Sequence, residues 1–258
     1  MASVARGQLI ISVDLELEVQ PGLLARQRAL DELTATLIDQ FAAYRIPATF
    51  AVADPIHSAA TDMIVASSRA HEIAVLADAT WAGPGAGRER FARELARRFG
   101  SARAAGLNVS SLALRHLELA EHFDLLPKHG ISAVRTEPMP RRHGPPAQPH
   151  VLRYGVWQAQ ASLRLPQPTR WWWGGDSAPA LRLVKRAARH GEVAHLLIDG
   201  AELIANVAKS MTTLERVLAV AAQLRDAEQL QIQTLQEVVL LLARPRELVS
   251  QRSILRAA

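Results

Sequence analysis

The sequence predicts an α/β fold, specifically a distorted or incomplete (β/α) barrel. Short β-like runs alternate with longer runs of helical periodicity along most of the chain. No internal repeat breaks that alternation. The length, 258 residues, suits one barrel domain, and a hydrophobic fraction of 49% supplies a large core. We expect a single domain over residues 1–258, with a core at about 8–242 and a tail at 243–258.

The elements follow in order. Gln8–Asp14 reads as a strand. Leu23–Tyr44 reads as a long helix, because Leu30, Leu33, Leu37, Ile38 and Phe41 recur at helical spacing. Ala48–Ala53 and His71–Leu76 are strands. Arg88–Ala105 is an amphipathic helix with Phe91, Leu95 and Phe99 on one face. Val109–Leu114 is a strand, Leu117–His129 a helix and Ile131–Arg135 a short strand. Glu137–His150 holds five prolines and reads as a loop or lid. Val151–Leu165 is extended, Ala178–His190 helical, Val193–Asp199 a strand and Thr212–Ala227 a helix. Leu230–Thr234 and Leu235–Leu242 are the last strand and helix.

Composition excludes several classes. Cysteine is absent, so there is neither a disulfide framework nor a thiolate metal site. No run of about 18 apolar residues occurs, so no membrane partner is expected. Leu9–Val13 is too short for a signal-peptide core, so a cytoplasmic location is expected. The net charge of +5 comes almost wholly from arginine, and only Lys128, Lys185 and Lys209 are lysine. These arginines are mixed with acids along the chain. That pattern favours a solvated surface over a nucleic-acid face, and a module built on Arg141 and Arg142 is the weakest reading.

Candidate chemistry starts at Asp14, an acid at the C-terminal end of an apolar strand, where barrels do their catalysis. Glu16 and Glu18 follow at period two, so a plain acid-rich strand exit is the alternative. The nine histidines include no pair three or four positions apart, so no helical or turn pair of nitrogen ligands is available. Trp171, Trp172 and Trp173 form either a sugar-stacking platform or a loop anchor.

Five segments, in order, resemble the polysaccharide deacetylases, the NodB-homology fold of the carbohydrate esterases. They are Leu9–Glu18, Ile46–Val52, His71–Trp81, Ser111–Ile131 and His195–Leu203. Tyr154–Pro166 is similar to a further strand of that family, and the likeness spans about residues 8–242. The resemblance implies a base at Asp14; Leu15 follows it where the family has its metal-binding acid, and Glu16, the next acid, is the candidate substitute for that acid, as in the Asp-x-Glu form of some family branches. The family's two metal histidines fall at Leu76 and Thr80, and its acid histidine falls at Asp199. Arg115 matches the arginine that orients the base. His71 is retained as a packed strand residue rather than a ligand. Asp78, Trp81 and Trp172 join Glu16 as expected substrate contacts.

With these substitutions the resemblance implies a deacetylase-like protein of carbohydrate metabolism, impaired as a metal-dependent N-deacetylase and acting by binding a glycan or a protein partner. The alternative is an active hydrolase on carbon–nitrogen, non-peptide bonds of acetylated sugars. Asp14, Glu16, Asp78 and Asp199 would then form an oxygen-only pocket for a harder metal or for metal-free acid–base chemistry. No cofactor is expected, and a zinc-like divalent metal enters only if the site is rearranged.

Overall fold

The computed structural model describes residues 6–16, 23–68, 70–115, 118–138, 147–166 and 177–243. Its strands are β1 Gly7–Asp14, β2 Thr49–Val52, β3 Glu72–Ala77, β4 Ser111–Leu114, β5 Ala133–Thr136, β6 His150–Val151, β7 Trp157–Gln160, β8 Leu163–Leu165, β9 Val193–Asp199 and β10 Leu230–Gln233. The longer helices are α1 Leu23–Ala43, α2 Ala59–Ala66, then after a single turn α3 Ala79–Ala82, α4 Arg88–Leu95. Short turns α5 Ser101–Ala104 and α6 Leu125–Lys128 precede α7 Ala178–His190; α8 Gly200–Leu203 leads into α9 Val207–Asp226, and α10 Leu235–Ala243 comes last.

The sheet runs β6-β7-β5-β4-β3-β2-β1-β9-β8, with β10 beside the first half of β1. Every pairing is parallel except β6 with β7. The curl is closed through residues 157–165. On one side β7 pairs with β5, and two residues later β8 pairs with β9. At the joint, Ala161 N–H donates to Thr136 O (2.9 Å) and Ser162 N–H donates to His195 O (2.7 Å). The distorted barrel expected from sequence is therefore present. All of its parallel strands point their C-terminal ends toward one mouth.

Strand alternation divides each strand between two environments. Leu9, Ile11 and Val13 face outward into the main core with Leu33, Leu37 and Phe41 of α1. Ile10, Ser12 and Asp14 face inward. The inner wall is built of small side chains, with Ala51, Ala74 and Ala113 packed around Leu76. That leaves room for the larger inward groups Arg135 and His195, both buried.

Helix α10 plugs the floor. Its Leu235, Val238 and Val239 pack on Ile10, Ala133, Ala159 and Val193. Glu72 ties the plug to the strands. Its carboxylate accepts from Thr49 Oγ1 (2.8 Å), from the Ser111 hydroxyl and from the Gln236 N–H (2.9 Å). Thr49 Oγ1 in turn accepts the Leu235 N–H at 2.9 Å. Two free amides of the α10 N-terminus are satisfied in this way by the first residues of β2 and β3. Burial pushes the Glu72 carboxyl up, and these donors oppose the push.

Two elements differ from expectation. The helix expected at Leu117–His129 shrinks to α6, because Ala120 N–H donates to Ala82 O at 3.0 Å rather than into its own turn. The single helix expected over Arg88–Ala105 is interrupted by a π segment at Ala96–Gly100. Arg97 there pairs with Asp54 (2.6 Å), and Arg98 donates to Ala53 O, so both side chains hold the exit of β2. Among the described residues, no helix is long and apolar enough to cross a membrane.

Replacing Glu72 by alanine strands two hydroxyls and an α10 amide inside the floor. We expect a loss of about 2–4 kcal/mol in urea unfolding. Glu72→Gln, which keeps acceptor and shape, should cost less than half of that.

Candidate active site

Asp14 and Asp199 are the last residues of adjacent strands and lie side by side in register. Both are 1% exposed. Two buried carboxylates this close repel unless cations reach them. Arg135 reaches Asp14 from β5 across the barrel. Its Nη2 donates to Oδ2 at 3.0 Å, and Nη1 lies 2.8 Å from Oδ1. Nη2 also donates to Leu114 O at 3.3 Å. Arg135 is itself 0% exposed, so the pair is wholly internal. Burial pushes the Asp14 carboxyl up, and the guanidinium works against that push.

Asp199 is held differently. Its Oδ2 accepts from Arg115 Nη2 (3.3 Å) and from Arg164 Nη2, while Oδ1 accepts the Glu202 N–H (3.1 Å) and caps α8. Arg164 continues the chain of charges to Glu137 Oε1 (3.2 Å) and Glu202 Oε1 (3.0 Å). Gly200 permits this arrangement, because a Cβ there would sit 2.7 Å from Asp14 O and 2.9 Å from Leu30 Cδ1. One layer below, Ser12 Oγ and His195 Nε2 are 2.8 Å apart. Burial, aided by Arg135, pushes the imidazole down to about 3, so it is neutral at physiological pH.

The remaining expected residues separate into groups. Glu16 sits half-buried at the mouth, and Arg115 Nη1 lies 3.5 Å from its main-chain oxygen. Its carboxyl is pushed up to about 7, first by burial and then by Asp78, against Arg115 and Arg98. Asp78 is exposed and caps α3, with Oδ1 accepting the Thr80 N–H (2.7 Å) and the Thr80 hydroxyl. Trp81 was expected at the substrate, but it is 1% exposed. Its ring stacks on Phe91 (centroids 6.0 Å apart) and carries the Arg98 guanidinium 4.9 Å from its centroid. The ring is a core wedge, buried against Phe91 and Arg98. His71 also packs as expected, edge-on to Phe50, and accepts the Ala48 N–H at Nδ1. Trp172 and its two neighbours lie outside the described residues.

Arg115 was matched to the arginine that orients Asp14. The hydrogen bonds give that contact to Arg135, and Arg115 reaches Asp199 instead. Arg135 and Arg164 were missed. The available signal was their position: each is a charge directly after an apolar residue in a short strand, Val134-Arg135 and Leu163-Arg164, and a buried arginine demands an acidic partner.

The residues at the positions of the family's metal ligands do not fit a zinc ion. Leu76 is buried among inner alanines, Leu15 is 6% exposed, and the Thr80 hydroxyl is bonded to Asp78. Among the described residues, no group of three or more histidine, cysteine, aspartate or glutamate side chains is placed to hold a metal.

No protein-family model matches the sequence, and no curated protein matches it. Solved structures do match. A provisionally assigned polysaccharide deacetylase from Mycobacterium smegmatis aligns with TM-score 0.71 at 13% identity, over 93% of this chain and 91% of its own. A polysaccharide deacetylase from Pseudomonas aeruginosa PAO1, also provisionally assigned, gives 0.62 at 11%, over 94% and 92%. PuuE allantoinase gives 0.62 at 12%, over 93% and 91%. The chain therefore has the fold of the polysaccharide deacetylases, and at these identities the likeness speaks for the fold alone.

Arg135→Met removes the only guanidinium hydrogen-bonded to the Asp14 carboxylate among the described residues. We expect a loss of about 3–5 kcal/mol in urea unfolding, largely recovered when Asp14→Leu is added. Glu16 gives a pH-dependent test. Its folded pKa, about 7, lies above the ordinary 4.5, so the folded state keeps this proton longer than the unfolded chain. The contribution is intact below about pH 4.5 and is lost as pH rises toward about 7. Glu16→Gln should leave stability unchanged at about pH 4 and raise it by roughly 1–2 kcal/mol at about pH 8, read from urea midpoints at both values.

Proposed function

We propose that this chain is a deacetylase-fold protein of carbohydrate metabolism that binds a glycan at the barrel mouth and does not perform metal-dependent N-deacetylation. One observation carries the reading. The two strand-end carboxylates are both neutralised from within, Asp14 by Arg135 and Asp199 by Arg115 and Arg164. Amide hydrolysis requires one group to take a proton from water and another to give a proton to the departing nitrogen. Asp14 faces Arg135 with both oxygens. Asp199 sits between two guanidiniums, and both of its oxygens already accept hydrogen bonds. The donor set at Leu15, Leu76 and Thr80 supports the same reading.

Glu16 favours a second reading. A half-buried carboxyl held near 7 exchanges its proton at neutral pH. In that case the chain is a hydrolase for carbon–nitrogen bonds of acetylated sugars, with Glu16 as its acid–base group and Asp78 as the neighbour that tunes it.

One paired experiment separates the two. The purified protein is titrated calorimetrically with N-acetylglucosamine oligomers, and acetate release is followed on the same oligomers. The binding reading expects saturable heat without acetate. Acetate release that disappears in Glu16→Gln would establish the second reading, and neither heat nor acetate would remove both.

A further inference from the structure

Helix α7 differs from the other helices in its charge. Among the described helices of eight or more residues, it alone holds no aspartate or glutamate. Its Arg182, Lys185, Arg186 and Arg189 recur three and four positions apart, so like charges adjoin along one face. Such pairs destabilise a helix. Several other surface arginines are matched, as Arg88 is by Asp124 and Arg97 by Asp54. On α7, Arg186 is matched by Glu192 at 3.0 Å. Arg182, Lys185 and Arg189 are exposed and have no hydrogen bond or ion pair among the described residues.

These three cations fall within an arc of about 60° and span about 10 Å along the helix axis. The opposite side is formed by Ala180, Val184 and Ala187, all buried, and Leu181, Leu183 and Ala188 also pack on the core. Helix α7 lies between the mouth end of β8 and the floor end of β9 in the chain. The stripe therefore starts near the mouth and runs down the outer wall. Gly7, at the floor end of β1, fixes the direction, because a Cβ there would sit 2.3 Å from Ala187 O.

A line of unmatched cations attracts a line of anions. An anionic bilayer holds a helix best when apolar side chains enter it, and those of α7 point inward. A single nucleic-acid strand stacks its bases on aromatic rings beside the cations, and α7 carries no Phe, Tyr or Trp. A carboxylated polysaccharide needs only spaced cations, and the guanidinium fork matches a carboxylate.

We propose that the outer face of α7 binds an anionic polysaccharide, a uronate chain whose carboxylates lie along Arg182, Lys185 and Arg189. The choice of a glycan rests on the glycan reading of the mouth, whereas the demand for a polyanion rests on the stripe alone.

The test is calorimetry on the full chain at low salt with galacturonate oligomers, with N-acetylglucosamine oligomers reporting separately on the mouth. Galacturonate oligomers should bind saturably and more weakly as salt is added. The triple variant Arg182→Gln, Lys185→Gln, Arg189→Gln should weaken them about a hundredfold, at about fivefold per cation. Its urea midpoint should be no lower than that of the parent, because the three side chains are exposed and repel one another. Absence of galacturonate binding, or binding that survives the triple substitution, would overturn the proposal. Tighter binding of an oligothymidylate or of phosphatidylserine vesicles through the same three residues would overturn it as well. Galacturonate binding without any heat from N-acetylglucosamine oligomers would remove the reading of the mouth and support this site.

Discussion

The ion pair between Arg135 and Asp14 is the constraint on which the barrel mouth depends. A guanidinium fully removed from water is tolerable only with its charge matched and its donors engaged. Arg135 meets that demand by crossing the barrel from β5 to the end of β1, with a further bond to the Leu114 carbonyl of β4. Three strands are thereby fixed at one level. The small inner residues make space for it, since Ala51, Ala74 and Ala113 leave a lumen that larger side chains would fill.

The rest of the mouth continues the same principle. Asp199 stands beside Asp14 in register, and its charge requires a second set of cations, which Arg115 and Arg164 supply. Arg164 then extends the compensation to Glu137 and Glu202, just beyond the ends of β5 and β9. The floor is solved without any cation. Glu72 is satisfied there by hydroxyls and by the α10 amides, so the plug and the strands satisfy one another. The mouth is thus built from paired charges and the floor from neutral donors. Glu16 is the exception at the mouth, half-buried with its charge only partly offset.

Much of the architecture was legible in the sequence, because alternation and helical spacing are local signals. The strands ending at Asp14 and Asp199 and the helices beginning at Leu23, Arg88 and Ala178 follow from apolar periodicity alone. The placement of Asp14 and Asp199 at strand ends followed too. Their partners did not. Arg135 and Asp14 are 121 positions apart, and only the closure of the barrel brings them together. The resemblance implies Arg115 as the partner of Asp14, but the adjacent β5 arginine, wholly buried, makes that contact. Trp81 read as a cleft residue from its motif. Its burial depends on Phe91 and Arg98, contributed by a helix whose π segment no local pattern announced. The helix expected from Leu117 failed for a similar reason, since a backbone contact to α3 replaces its own first turn.

The central claim is that arginines, rather than a metal, balance the acids at the mouth. It is tested most directly by calorimetric titration of the purified, metal-stripped protein with zinc, cobalt and magnesium. The account predicts no saturable site for any of the three. A single saturable site that disappears in Asp14→Ala would contradict it.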